Sequence, residues 1–278
     1  MKKFFLILSF VFVLCSCKYS AGNIFYSGNN VINRDTEITE VAAPSAYTGQ
    51  KSYTVLFYTD KHTGSDRASS KDELLFAWLD ELKGTEDFPL FVIDGGDSVD
   101  TGKKGEYEDY GRFCRKLKDE YNLEVFAVPG NHEIYNEGWK YWRDYSSTGT
   151  AFYSFQTDAF SWYFFDTASG CVGLPQMNSL MEAVSKDSRP KIVVTHYPLV
   201  AQNLVFCLQD TTERNLLIDC FAQNNVKGVF SGHIHMSTEI NLGKFTAFTL
   251  PSFLYDSSWG LLKISEENAT FEVRTIKR

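Results

Sequence analysis

Apolar residues recur along this chain with two different spacings, and the switching between them outlines a fold. Short runs rich in Val, Ile, Leu and Phe predict strands at Tyr53–Thr59, Pro89–Ile93, Leu123–Val128, Lys191–Thr195 and Val226–Phe230. Between these runs the spacing changes to that of helices. Lys71–Lys83 carries Leu74, Leu75, Trp78, Leu79 and Leu82, with Ser70 and Glu73 in a capping-box pattern at its start and Gly84 beyond its end. Glu106–Glu120 reads as a second helix with a charged outer face, Met177–Lys186 as a third, and a fourth lies near Arg214–Gln223. Phe152–Gln156 and Ser161–Phe165 read as a hairpin. After His235 the pattern predicts strands alone, at Thr238–Asn241, Phe245–Leu250, Gly260–Ile264 and Thr270–Thr275. Strand–helix–strand alternation implies parallel strands with helical crossovers, and the strand-only stretches imply antiparallel additions. The expectation is an α/β fold of two face-to-face mixed β-sheets flanked by helices, in one domain over residues 51–278.

The N-terminus follows neither period. Lys2 and Lys3 precede an apolar run from Phe4 to Leu14 relieved by Ser9, the pattern of a secretory signal and too short for a permanent span. It ends in Leu14-Cys15-Ser16-Cys17, which resembles a bacterial lipobox. That resemblance implies cleavage before Cys17 and lipidation of its thiol, so residues 1–17 are read as a lipoprotein signal with its lipidation site. The expected product is an exported lipoprotein held on a lipid bilayer, at the periplasmic face or cell surface. Lys18 rather than Asp follows the cysteine, which favours the outer membrane where there is one. Residues 18–50, rich in Ser, Asn, Thr and Gly, read as a flexible tether, with an early strand around Asn30–Thr39.

Charge narrows the partners. The formal net charge is −8, and loss of residues 1–16 would remove two lysines and no acids. An acidic chain of this kind is a poor match for a nucleic-acid backbone, although bound cations would reverse the sign locally and admit a phosphate. Cys114, Cys171, Cys207 and Cys220 form no C-x-x-C pair, so neither a zinc ribbon nor a thioredoxin-like site is indicated. They are either paired after export or simply buried.

The chain has five histidines, and each follows a predicted strand. The segments are Asp60-Lys61-His62, Gly96-Asp97-Ser98-Val99-Asp100, Gly130-Asn131-His132-Glu133, Thr195-His196 and Gly232-His233-Ile234-His235. Carboxyl ends of parallel strands share one sheet edge, so residues distant in sequence can meet there. In D-x-H and H-x-H, residues i and i+2 can face one side, and Gly96, Gly130 and Gly232 allow tight turns and close approach. Carboxylate, amide oxygen and imidazole suit Mn, Fe, Co or Zn, with no thiolate in position to favour a structural zinc. The residue types alone therefore point to a polynuclear metal site.

The ordered set D-x-H, G-D-x-x-D, G-N-H-E, T-H and G-H-x-H resembles the calcineurin-like metallophosphoesterases over roughly residues 53–255. The resemblance implies a four-layer αββα sandwich and a dinuclear centre of two divalent ions, with Asp60, His62, Asp97 and His235 on one. Asp97 as bridging carboxylate, Asn131, His196 and His233 hold the other. It further implies attack on a small phosphoester by a hydroxide between the ions, with His132 as general acid, or as donor to a phosphoryl oxygen. Asp100 would orient His132, and Glu133 would be structural.

Departures from the pattern matter. Purple acid phosphatases carry a tyrosine three residues after the bridging aspartate, where this chain has Asp100. Phosphoprotein phosphatases carry arginines where this chain has Thr101 and Pro129. Arg67, Arg112 and Arg143 lie near motifs without being assignable as a phosphate clamp. Trp139, Tyr141, Trp142 and Tyr145 could stack a nucleobase or line a lipid-like leaving group, and their spacing equally suits a helix face against the core. The competing function is a surface lipoprotein that uses the fold for ligand binding or adhesion without turnover. Oligomeric state is not addressed by any of these features.

Overall fold

The computed structural model describes residues 35–278; the expected signal, Cys17 and the first part of the expected tether lie outside the described residues. The first half of the chain runs β1 (Thr39–Glu40), β2 (Ser52–Tyr58), α1 (Ala68–Leu82), β3 (Pro89–Asp94), α2 (Lys104–Tyr121) and β4 (Val125–Ala127). A 3-10 turn (His132–Glu137), α3 (Trp139–Tyr145), β5 (Tyr153–Gln156), β6 (Ser161–Phe164) and α4 (Leu174–Lys186) follow. The second half holds β7 (Lys191–Val194), a 3-10 turn (Leu204–Phe206), α5 (Thr211–Gln223), β8 (Val226–Ser231), β9 (Thr238–Asn241) and β10 (Thr246–Thr249). It closes with α6 (Phe253–Asp256), β11 (Ser258–Ser265) and β12 (Thr270–Lys277).

Two sheets result, one of five strands ordered β12-β11-β2-β3-β4 and one of seven ordered β1-β5-β6-β7-β8-β10-β9. Strands β2, β3 and β4 are mutually parallel, as are β6, β7, β8 and β10. The period of two in β2 explains the layering. Tyr53, Val55 and Phe57 face the second sheet, and Leu56 and Tyr58 face helices α1 and α2. In β6, Trp162 and Phe164 point inward and Tyr163 outward towards α4 and α5. Each sheet is thus covered on both faces, which is why these strands read as near-continuous apolar runs. The inter-sheet layer is dense in aromatic rings, with Phe91 packing edge-on against Phe126, Phe155 and Trp162 at 5.4–5.8 Å. The expected two-sheet sandwich is the observed one.

Several expectations change. Residues 35–50 are attached rather than free: Thr39–Glu40 pair with Tyr153–Ser154, and the Asp35 carboxylate accepts from Thr150 Oγ1 and Ala151 N. Tyr47 stacks edge-on against Tyr53. The ordered domain therefore reaches back at least to Asp35 instead of beginning at Lys51, and the part of the early strand that is described is Thr39–Glu40. Helix α1 starts at Ala68, a turn earlier than its pattern suggests, so Ser70 is inside it and bonds Arg67 O in place of capping. The tail after His235 is not strands alone, because α6 interrupts it. The aromatic cluster 139–145 resolves to the core side: Trp142 is buried, and Trp139, Tyr141 and Tyr145 pack on the same cluster. The four cysteines are free, three of them buried. Among the described residues no helix is long and apolar enough to cross a membrane.

Candidate metal centre

Asp60 and His62 follow β2, Asp97 and Asp100 follow β3, Asn131 and His132 follow β4, His196 follows β7, and His233 and His235 follow β8. All of these strands end at one edge of the sandwich, as the parallel pairing requires. Three overlapping groups of candidate ligand atoms lie there: Asp60, His62 and His235; His62, Asp97 and His132; and Asp97, His196 and His233. Within each group the atoms are within 4.8 Å of one another. Asn131 joins the third through its amide oxygen, 3.3 Å from His196 Nε2. The eight residues singled out from the sequence by type and spacing (Asp60, His62, Asp97, Asn131, His132, His196, His233 and His235) are therefore brought together.

The backbone is bent hard to do this. Asp60, His62, Asp97, His233 and His235 all have φ between 50° and 70°, a conformation that costs a non-glycine residue about 1–2 kcal/mol. Strain concentrated on side chains that converge is a mark of a functional site. In the Asp60–His62 turn the intervening Lys61 points the other way. Its ammonium is fully buried, 2.8 Å from the Asp72 carboxylate, 3.1 Å from Thr63 Oγ1 and over the Phe113 ring. Gly130 and Gly232 serve by leaving room rather than by unusual torsion. A Cβ on Gly130 would fall 2.2 Å from Asp97 Oδ1, and one on Gly232 would fall 1.9 Å from Thr59 Oγ1.

Second contacts fix the ligands. Asp60 accepts from Thr59 Oγ1 at 2.8 Å and from His233 N at 3.1 Å. Asp97 Oδ1 accepts from His132 N at 2.9 Å. His196 Nδ1 donates to Gly95 O at 2.8 Å, which turns Nε2 towards Asp97 Oδ2 at 3.2 Å. His235 Nε2 lies 3.1 Å from Asp60 Oδ1. The fully buried Glu133 carboxylate collects the N–H groups of Asp97, Val99 and Gly130, tying the β3 loop to the β4 loop, the structural part anticipated for it. Asp94 does the same for its own loop, accepting from Gly96 N, Ser98 Oγ and Tyr110 OH.

Burial raises the Asp97 carboxyl, but the imidazoles of His196, His132 and His62 outweigh it and hold the group well below the usual carboxylate range. Burial works against charge on His196, yet the adjacent Asp97 carries it up to about 10. His233 moves the other way, to about 4, through burial and the neighbouring His196. His196 can ligate a cation through Nε2 only after giving up a proton, so loading is coupled to proton release. Neither ring nitrogen of the buried His62 has a hydrogen-bond partner, and its Nδ1 is 3.4 Å from an Asp100 carboxylate oxygen, off hydrogen-bond geometry. Orphaned buried nitrogens beside two carboxylates are what a site for a cation leaves. The residues present fit divalent metal ions.

Asp100 differs from its expected arrangement. His132 Nδ1 meets the backbone carbonyl of Asp100, while the Asp100 carboxylate turns to His62. The peptide can hold the ring as well as the side chain can, and sequence spacing does not separate the two. Arg112 pairs with Asp109 along the helix surface and Arg143 with Asp35, so both are accounted for as surface charges. Two residues at the rim gave no motif: Tyr135, whose ring lies 4.8 Å from His132, and Tyr255, 5.2 Å from His235; Tyr197, beside His196 in sequence, has its ring 3.8 Å from His233. Asp94, at the end of the β3 apolar run and three residues before Asp97, was the detectable omission.

Comparison with known proteins agrees with this geometry. The chain is 24% identical over 206 residues to a protein of Fibrobacter succinogenes named "Probable cyclic nucleotide phosphodiesterase", covering 70% of this chain and 77% of that one. Its fold is similar to that of a dimetal phosphatase from Danio rerio, at a TM-score of 0.62 and 14% identity, over 81% of this chain and 98% of that one. It is also similar to GAP50, described as the anchor in the inner membrane complex of Plasmodium, at a TM-score of 0.60 and 14% identity, over 82% and 85% of the two chains. The family model for calcineurin-like phosphoesterases matches residues 53–237, a stretch that contains every motif from Asp60 to His235. That match spans more than half of the chain, and the protein belongs to the calcineurin-like phosphoesterase family.

Proposed function

We propose that this metal-dependent phosphoesterase hydrolyses small phosphate mono- or diesters outside the cytoplasm, anchored to a membrane by a lipid on Cys17. The observation that carries the catalytic part is the convergence of three overlapping ligand groups around Asp97 and His62, with both His62 nitrogens unpartnered. Asp60, His62, Asp97 and His235 would hold one divalent ion; Asp97, Asn131, His196 and His233 would hold the other. Such a pair supplies Lewis-acid polarisation of the phosphoryl group and a water acidic enough to attack near neutral pH.

The remaining work falls to the chain. His132 is the general acid: its Nδ1–H is spent on the Asp100 carbonyl, which leaves Nε2, 3.9 Å from Asp97 Oδ2, to carry a proton to the departing alkoxide. Asp100 contributes to His132 through its carbonyl and to His62 through its carboxylate. Glu133 keeps the two loops in register. The named relative supports diesters over monoesters.

The test uses the soluble domain from Asp35 onward with an aryl phosphodiester and monoester, with and without added Mn²⁺, alongside elemental analysis. Hydrolysis that rises with bound metal supports the reading. Metal-loaded protein that hydrolyses neither ester contradicts it and favours the competing reading, a binding module like the anchor GAP50. An exposed apolar turn, Leu204-Val205-Phe206, and exposed Met236 would then be the natural contact surface. For the anchor, Cys17→Ser in the full chain should release the protein from membranes in fractionation; unchanged membrane association would overturn it.

A further inference from the structure

Large hydrophobic side chains left open to solvent are not spread evenly over this surface. Leu74 in α1 and Leu216 in α5 stand apart. The others among the described residues follow strands that end at the metal-bearing edge: the Leu204-Val205-Phe206 turn after β7, Met236 after β8, Leu174 after β6, Tyr135 after β4 and Tyr255 after β10. The turn is the most prominent, with Val205 68% and Leu204 56% exposed. Phe206 and Met236 line one cleft of about 260 Å³ between the β7 and β8 connections. The surrounding loops are uncharged: residues 167–181, 197–209 and 233–238 hold no Asp, Glu, Lys or Arg, in a chain where 22% of residues are charged. An exposed hydrophobic patch without charge marks a contact surface.

The turn is also built to leave water. Asn203 Oδ1 accepts from Val205 N at 3.1 Å, Val205 O accepts from Gln209 Nε2 at 2.9 Å, and Leu204 O accepts from Cys207 N at 3.2 Å. Phe206 N donates to Asn203 O at 3.3 Å. The polar backbone at the tip is thus occupied within the loop, the condition a segment meets before it enters lipid. Beneath the tip Leu199, Cys207 and Leu208 are buried, and Leu208 N and Gln209 N bond Pro198 O and Gly170 O. The projection is held from below.

Strand directions indicate what this edge meets. β1 runs parallel to β5, β5 antiparallel to β6, and β6 parallel to β7. The chain therefore enters β1 at the edge where β6 and β7 end, and Asp35 bonds Thr150 and Ala151 there. Cys17 lies 18 residues before Asp35, a reach of at most about 60 Å. A lipid on Cys17 would tie the bilayer to the side of the molecule that carries the turn.

We infer that the metal-bearing edge docks on the lipid bilayer, with Leu204, Val205, Phe206 and Met236 seated among the headgroups. The metal centre then opens towards the membrane surface, and the tyrosines at its rim suit the interface, where phenol rings keep an apolar body and a wet tip. The inference rests on the proposed lipid on Cys17 for its occupant and adds the face presented to it. Three side chains bury less apolar surface than one acyl chain, which itself binds only marginally and reversibly. The turn therefore orients an anchored protein without holding it there by itself, and release on Cys17→Ser is still expected in fractionation.

Flotation in excess phosphatidylcholine vesicles separates the contact from the anchor when the full chain carries Cys17→Ser. That protein should bind weakly, and Val205→Asp added to it should lower the partition coefficient about tenfold. Leu216→Asp, a control on α5, should bind as the parent does. Both variants should hydrolyse a soluble aryl phosphodiester at the parent rate. In the lipidated chain on the same vesicles, amide exchange at residues 204–206 should slow relative to Cys17→Ser without vesicles. Equal partitioning of the Val205→Asp and Leu216→Asp proteins overturns the inference, as does a Cys17→Ser chain wholly unbound in excess lipid. Either result leaves hydrolysis and the anchor standing. Mass analysis showing Cys17 unmodified removes the anchor instead, and vesicle binding that still depends on Val205 then retains the docking face.

Discussion

The two sheets contribute to the centre unequally. The five-stranded sheet supplies the carboxylates of Asp60, Asp97 and Asp100, together with His62, Asn131 and His132. The seven-stranded sheet supplies imidazoles alone among those residues, His196, His233 and His235. The pairs His235–Asp60 at 3.1 Å and His196–Asp97 at 3.2 Å cross from one sheet to the other. The site is therefore a seam, and its assembly depends on the aromatic layer that holds the sheets face to face. The five-stranded sheet also does more of the positioning, because Glu133 and Asp94 both lie there, Glu133 gathering three backbone N–H groups and Asp94 one N–H and two hydroxyls.

This asymmetry makes graded predictions. The largest separates two histidines on opposite sides. His132→Gln should cut turnover about 10²- to 10⁴-fold with metal content unchanged, whereas His233→Gln should lose metal. Steady-state kinetics with elemental analysis reads both, and metal loss in His132→Gln would break the distinction. Next is Glu133→Gln, which sets an amide NH₂ against backbone donors. It should weaken metal affinity about 10- to 100-fold and cost about 1.5–3 kcal/mol in denaturant unfolding. Unaltered metal titration would show that the loop tie does not matter. The smallest lies just before the edge strand of the seven-stranded sheet: Asp35→Ala removes bonds to Thr150, Ala151 and Arg143. It should cost about 1 kcal/mol and leave kcat/KM as it was, since none of those partners is a site residue. A matching fall in activity would contradict that.

What the sequence made legible follows the same division. Strands such as β2 and β7 announce themselves because both faces are buried, and ligands that leave strand ends in D-x-H or H-x-H carry their geometry in their spacing. Contacts made through the backbone do not. The His132–Asp100 link runs through a carbonyl that any residue would offer, so the letters suggested the carboxylate instead. Residues 35–50 look like a tether by composition, and what attaches them is scattered: the Asp35 carboxylate, a two-residue strand, the Tyr47 ring, Val41 and Ala43 against the inter-sheet core, and Ser45 N on the Glu124 carboxylate. Helix α1 begins early because tertiary packing of Ala68 outweighs a local capping pattern. Tyr255 was invisible for a further reason: it reaches the site because β10 runs parallel to β8 and ends at the same edge, a fact of topology with no motif attached.

Metal stoichiometry tests the central claim most directly, measured on the purified domain and on Asp97→Ala, since Asp97, like His62, belongs to two of the three ligand groups. The account predicts two equivalents of divalent metal in the native domain, and loss of metal and phosphoester hydrolysis together in the variant. A variant that hydrolyses esters normally, or a fully active native domain containing no metal, would contradict it.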